Sequence, residues 1–284
     1  MSRGLSAVLM AILLLFSAVI EVRAAESLLF MAGAAAAPVV EELAKAFESK
    51  TGIKVEISVG GSGMLLSQIK LAKKGDVYFP GSIDFIDQAK REGQIDETTI
   101  TPVVYLVPAI NVQRGNPHNV KCLKDLCRPG LKVAFANPES VCLGVFATEL
   151  VEQFFSPEEK AAVRKNLVTY TESCEKTATA ISLKSVDAVI GWSVFENWNP
   201  ELIETVKLSP EEVIRISYLA VAVTKYAKNP ETAKKFIEFM QSEEGLSFFK
   251  RYKYFTTANE ALEYLGAEKP VGGKPFAVPT DWMH

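Results

Sequence analysis

Two hydrophobic periods alternate along this chain, and each switch between them marks an element. Ser27–Ala32, apolar from Leu28 onward, reads as a buried strand. After the small residues Gly33 to Ala37, the positions Val39, Val40, Leu43, Ala44 and Phe47 recur at helical spacing within "PVVEELAKAFESKTG". Pro38 suits the first turn of that helix, Glu41 and Glu42 complement its dipole, and Gly52 ends it. The pattern then gives a strand, "IKVEISV", a glycine-serine turn, "GGSG", and a second helix, "MLLSQIKLAKK". A short strand, "GDVYFPG", and a helix across "DFIDQAKREG" follow. Strand and helix in strict alternation is the order of a parallel α/β sheet.

The second half repeats the order. "TPVVYLVPAINV" (101–112) is strand-rich, "LKVAFANPES" (131–140) restarts a strand, and a helix is expected through Phe146–Phe155. Ser156-Pro157-Glu158-Glu159 has the spacing of a capping box. "LVTYTESCEKTATAISLKSVDAVIGW" gives strand, helix and strand, and "VIRISYLAVAVT" (213–224) the last long strand. Asn229-Pro230 opens an amphipathic helix, "EEGLSFFKRY" forms another, and the polar tail from about 260 is expected to wrap the surface. Two α/β blocks result, with long strands near 103–111 and 214–223 as crossings between them. Such a clamp holds ligands at the carboxyl ends of its strands, in the cleft.

The first residues change the picture of where this protein works. Arg3, the apolar run Leu5 to Ile20 and Val22-Arg23-Ala24 make the three parts of a cleaved signal peptide, and no cysteine follows the run to take a lipid. A mature chain of about 260 residues from Ala25 is therefore expected, with a formal charge of −4 in place of −3. A mildly acidic chain without a Lys/Arg cluster has no electrostatic footprint for nucleic acid. Four cysteines, Cys122, Cys127, Cys142 and Cys174, in an exported chain favour two disulfides, with three pairings open and free thiols as the alternative. A metal site is disfavoured, because there is no C-x-x-C and the only histidines are His118 and His284.

Those two histidines also argue against catalysis, since neither is placed to serve Ser62 or a cysteine, and G-G-S-G-M is not a nucleophile elbow. The paired carboxylates sit at helix starts, where the dipole explains them. We therefore expect no enzyme. Small-residue turns precede helices three times, in "MAGAAAAPVV", "VGGSGMLL" and "ESVCLGVF". Each presents free backbone N–H groups that suit an anion. No lysine follows the last glycine, so a Walker-type nucleotide loop is absent. A small anion is the better fit.

The segments "LLFMAG…EELAKAFESKTGIKVEISVGGSG" and "QIKLAKKGDVYFPGS", followed by "NPESVCLGVFATEL", "SVDAVIGW" and "AKKFIEFMQSEEGLSFFKRYKYF", resemble the periplasmic molybdate/tungstate-binding proteins of ABC importers over nearly all of the mature chain. The resemblance implies an α/β, two-lobed type II periplasmic binding protein, each lobe a mostly parallel sheet flanked by helices, joined by two crossover strands. Lobe I would take residues 25–105 and 219–284 and lobe II residues 106–218, after a signal peptide at 1–24. It further implies a periplasmic monomer, with no cofactor, that hands molybdate or tungstate to a membrane permease and its ATPase.

In that family the oxyanion is held without a counter-charge, by backbone amides, two serine hydroxyls and a tyrosine hydroxyl. Ser62 matches the second serine, while Leu143 and Cys174 match amide positions. The first serine is replaced by Ala34 or Ala35 and the tyrosine by Trp192, so two hydroxyl donors are missing. Each hydrogen bond to a charged group contributes about 1.5–3 kcal/mol. Either other donors replace them or the ligand differs, with sulfate, phosphate or another small anion as the alternatives. Cys142 and Cys174 bracket two of these positions. A disulfide between them is the expected state, a thiol pair meeting a metal or a thiophilic oxyanion the alternative, and Cys122–Cys127 a candidate local staple.

Overall fold

The computed structural model describes residues 26–283; the expected signal peptide, 1–24, and His284 lie outside the described residues. The first sheet has the order β2-β1-β3-β10-β4, built from β1 (Ser27–Gly33), β2 (Lys54–Gly60), β3 (Val77–Phe79), β4 (Thr101–Leu106) and β10 (Ser217–Val223). The second has the order β7-β6-β8-β5-β9, from β5 (Pro108–Gln113), β6 (Val133–Ala136), β7 (Leu167–Thr171), β8 (Ala188–Trp192) and β9 (Ile203–Val206). Both sheets carry the same mixture. β1 is parallel to β2 and β3, and β6 is parallel to β7 and β8. β10 runs antiparallel to β3 and β4, and β5 antiparallel to β8 and β9. The α/β architecture stands, but the sheets are mixed, because each contains a strand that arrives from the other half.

Those arrivals define the crossings. Only Val107 separates β4 in the first sheet from β5 in the second. The return runs from Val206 through a 3-10 turn, Pro210–Glu212, so β10 lies wholly in the first sheet. At this waist Ser217 pairs with Leu106 and Pro108 with Trp192.

The helices follow the local signals. α1 (Ala37–Thr51) buries Val39, Val40, Leu43, Ala44 and Phe47 and ends at Gly52, in the left-handed region at φ 74°. α2 (Ser62–Ala72) and α3 (Ile83–Arg91) complete the first βαβ units. α4 (Cys142–Phe154) starts four residues before the expected Phe146, because Gly144 in its first turn weakens the helical pattern while the Val141 N–H is already tied to the Asn137 carbonyl. α5 (Pro157–Asn166) has the expected capping box: the Glu159 N–H donates to Ser156 Oγ and the Ser156 N–H to Glu159 Oε2. α6 (Cys174–Ser182), a short α7 (Phe195–Trp198), α8 (Pro230–Gln241) and α9 (Glu243–Arg251) follow.

The tail departs from expectation. It forms α10 (Ala258–Leu265), and Trp282 is fully buried against Phe135, its indole N–H donating to Glu152 at 2.7 Å. Ala261, Leu265 and Trp282 belong to the core of the second sheet, although their stretch was expected with the first lobe. The larger core runs beneath the first sheet and continues across the seam to Cys142, Leu143, Cys174 and Trp192. No helix among the described residues is long and apolar enough to cross a membrane.

Candidate functional site

Four chain turns bring element starts to the seam between the sheets. β1 runs into a 3-10 turn, Ala34–Ala36, and on into α1; β2 runs through Gly60-Gly61 into α2. From the other sheet, β6 leads through 137–141 into α4, and β7 through Glu172-Ser173 into α6. The first N–H groups of a helix have no acceptor within it, so these starts carry donors and positive dipole ends.

The glycines of the opening turn are explained by contact across the seam. Gly61 has ordinary extended backbone, φ −62° and ψ 141°, which any residue adopts. A Cβ there would lie 2.9 Å from the carbonyl oxygens of both Ser140 and Glu172. The Gly63 N–H donates to the Ser140 carbonyl at 2.8 Å. Bare backbone on the first-sheet side thus lies directly on the loops that start α4 and α6, and the two halves are closed on each other.

Behind this contact lies a buried, closely packed cluster of small groups. Ser62 Oγ accepts from the Gly81 N–H at 3.0 Å, and the Ser62 carbonyl accepts from the Tyr78 hydroxyl at 2.8 Å. A Cβ on Gly81 would stand 2.4 Å from Cys142 Sγ, 2.8 Å from Ala35 Cβ and 3.6 Å from Ser62 Oγ. Three residues from separate turns therefore converge on Gly81. Cys174 joins them, its Sγ 3.9 Å from Cys142 Sγ. The Ala35 carbonyl is held by the hydroxyl of Tyr254 at 2.6 Å. Burial pushes the Tyr78, Tyr254 and Cys142 groups well above their ordinary pKa values, so all three remain protonated donors at neutral pH.

The sequence-derived residues fare unequally. Ala35 and Ser62 meet at this point, Cys174 reaches it only through its contact with Cys142, Ala34 lies in the same 3-10 turn as Ala35, and Leu143 follows Cys142 at the start of α4. Ala34, Ala35, Ser62, Leu143, Cys174 and Trp192 are all buried. Trp192 sits one ring away, edge-on to Phe146 of α4 with centroids 5.0 Å apart, and its buried indole N–H has no partner among the described residues. The disulfide expectation is corrected: all four cysteines are free, and Cys142 and Cys174 touch without bonding, well beyond the ~2.05 Å of an S–S bond. Trp198 is partly buried and lines a cavity of about 260 Å³ at the seam with Ala37, Pro38, Glu175 and Ala178. His118 is tied up elsewhere, 3.1 Å from Asp187. Among the described residues no cluster of three or more His, Cys, Asp or Glu could hold a metal ion.

Sequence reasoning missed two features. Gly81 had only the turn signal of Pro80-Gly81 to mark it. The other is a buried ion triad close by: Arg215, on the return crossing, donates from Nη1 to Asp84 of α3 at 3.0 Å and from Nε to Glu149 of α4 at 2.8 Å. Its guanidinium lies 4.0 Å over the Phe146 ring. No pattern in the chain links three charges separated by up to 131 residues.

Two sheets joined at a waist, with helix starts from both halves facing one buried point, define a two-lobed solute-binding clamp. The chain belongs to the bacterial extracellular solute-binding proteins, whose family model matches residues 28–254. A putative binding protein of Haemophilus influenzae is 25% identical over 236 residues, covering 81% of this chain and 90% of that protein. The molybdate-binding protein ModA of Rhodobacter capsulatus is 21% identical over 223 residues, 76% of this chain and 83% of its own. Among solved structures, the sulfate-binding protein SubI of Mycobacterium tuberculosis superposes with a TM-score of 0.73 at 16% identity, covering 87% of this chain and 93% of that one. That likeness establishes the fold.

Proposed function

We propose that this protein is the periplasmic receptor of an ABC importer and that it captures a tetrahedral oxyanion, molybdate or tungstate, at the seam. Closure carries the anion out of water and presents the closed form to a membrane permease and its ATPase. The observation that supports this reading is the convergence on Gly81 of Ala35, Ser62 and Cys142, with helix starts on both sides and no Lys or Arg among them. Partial charges on fixed N–H groups stabilise an anion at helix starts without a full counter-charge. The protein acts here by binding and release, with no resident cofactor and no catalytic step.

Isothermal titration of the mature protein with molybdate, tungstate, sulfate and phosphate tests the assignment. Heat with the first two and none with the others is the expected result; silence with all four would remove the oxyanion reading. A second reading, the same clamp for sulfate or phosphate, draws on Ala35 and Trp192, which lack hydroxyls, and is supported if either smaller anion binds best.

A further inference from the structure

The seat lacks the side-chain donors that an anion of this charge calls for, and two groups nearby have no assigned task. Ala34 and Ala35 contribute only backbone, and of Ala35, Ser62 and Cys142, the three side chains that meet Gly81, only Ser62 has a hydroxyl. Its Oγ already accepts from the Gly81 N–H, and its hydroxyl lies within hydrogen-bond reach of the Cys142 sulfur. Cys142 and Cys174 are each the first residue of a helix, α4 and α6, and both are 1% exposed. Their sulfurs are 3.9 Å apart, and Cys142 Sγ stands against the same Gly81 position as Ala35 and Ser62.

Burial keeps the Cys142 thiol protonated, since a thiolate would be poorly solvated there. A neutral thiol is an S–H donor, whereas a soft metal ion needs thiolates, and no third ligating group stands by among the described residues. Sulfur is also larger and more polarisable than oxygen, which suits a large oxyanion better than a small one.

We propose that the Cys142 and Cys174 thiols are ligand contacts: both donate S–H hydrogen bonds to the bound oxyanion and take over the work of the two missing hydroxyls. This rests on the oxyanion reading. The pair forms one weak-donor face on the second-sheet side, opposite Ser62 and Ala35. It biases the seat toward molybdate and tungstate over sulfate and phosphate.

The test is titration, under reducing conditions, of the wild type, C142A/C174A and C142S/C174S with whichever of the four anions the wild type binds most tightly. Circular dichroism and thermal melts verify that each variant is folded. The alanine pair, which keeps the backbone amides, should bind at least about ten-fold more weakly, while the serine pair, which restores a donor, should stay within about three-fold. The serine pair should also gain on sulfate relative to molybdate. Wild-type binding that the alanine pair leaves unchanged would overturn this inference and leave the oxyanion reading standing. A wild type silent to all four anions overturns both. If silver ion then binds one-to-one and C142A/C174A abolishes it, the thiols form a soft-metal site instead.

Discussion

Two buried polar centres join the halves of this protein, and they are built on opposite principles. One is the ion triad, where Arg215 spans from Asp84 on the first-sheet side to Glu149 on the second and donates also to the Gly272 carbonyl. The other is the seat, where Gly61 lies on the Ser140 and Glu172 carbonyls and Gly81 lies on Cys142, all of them neutral groups, with Cys174 behind Cys142. In the triad, full charges are paired with one another through Nε and Nη1, while Nη2 has no partner among the described residues, and the centre ties the two halves together. In the seat, the groups are uncharged, and helix starts from both halves bring backbone N–H groups that suit an anion. Burial alone does not mark a binding site; the two centres differ in whether full charges are already paired within them.

The contrast can be broken most severely from the charged side. Arg215→Ala leaves Asp84 and Glu149 buried without their cation, and removing one partner of such a group costs about 3–5 kcal/mol. A urea melt should show the loss as a shifted midpoint. An unchanged midpoint would mean that solvent reaches both carboxylates.

Changes at the neutral centre should act on binding first. Ser62→Ala removes the hydroxyl donor, with an expected loss of about 1.5–3 kcal/mol in anion affinity, read by titration. It also deprives the Gly81 N–H of its acceptor, so a small loss in thermal stability should accompany it. Full-strength binding by this variant would take Ser62 out of the seat.

Gly61→Ala separates backbone freedom from close approach. The backbone there suits alanine, so the open form should be unaffected, while the closed form gains a methyl group 2.9 Å from two carbonyl oxygens. Overpacking of this kind costs about 1–3 kcal/mol, and it should appear as weaker ligand binding with a normal melting temperature. Wild-type affinity would mean that the glycines serve the turn alone.

The smallest effect is one of pH. Burial raises the pKa of Glu149, and the Arg215 charge only partly offsets it. A carboxyl raised in the folded state holds its proton there after the unfolded chain has lost it, so its contribution to stability is present at low pH and is lost as pH rises above 4.5 through the raised value. Glu149→Gln should flatten that part of the stability profile. A steeper decline in the variant would reverse the sign argued here.

The chain's own pattern determined the elements, the α/β order, the waist near Val107 and three of the helix starts at the seat, because each of these rests on local signals: period, caps and turn residues. The capping box at Ser156 and the αL ending at Gly52 are read from a few neighbouring residues and appear where expected. The turn containing Ser62 is legible for the same reason.

Tertiary structure alone decided the rest. The mixed sheets follow from strands arriving across the waist, and Trp282 fills the second core from the end of a polar tail. Whether Cys142 and Cys174 bond or only touch depends on distances between helices 32 residues apart, which spacing does not encode. The same holds for Gly61, whose missing side chain answers to carbonyl groups nearly 80 and more than 100 residues away. Local order is written in neighbours along the chain, and chemistry at a seam is written in neighbours across it.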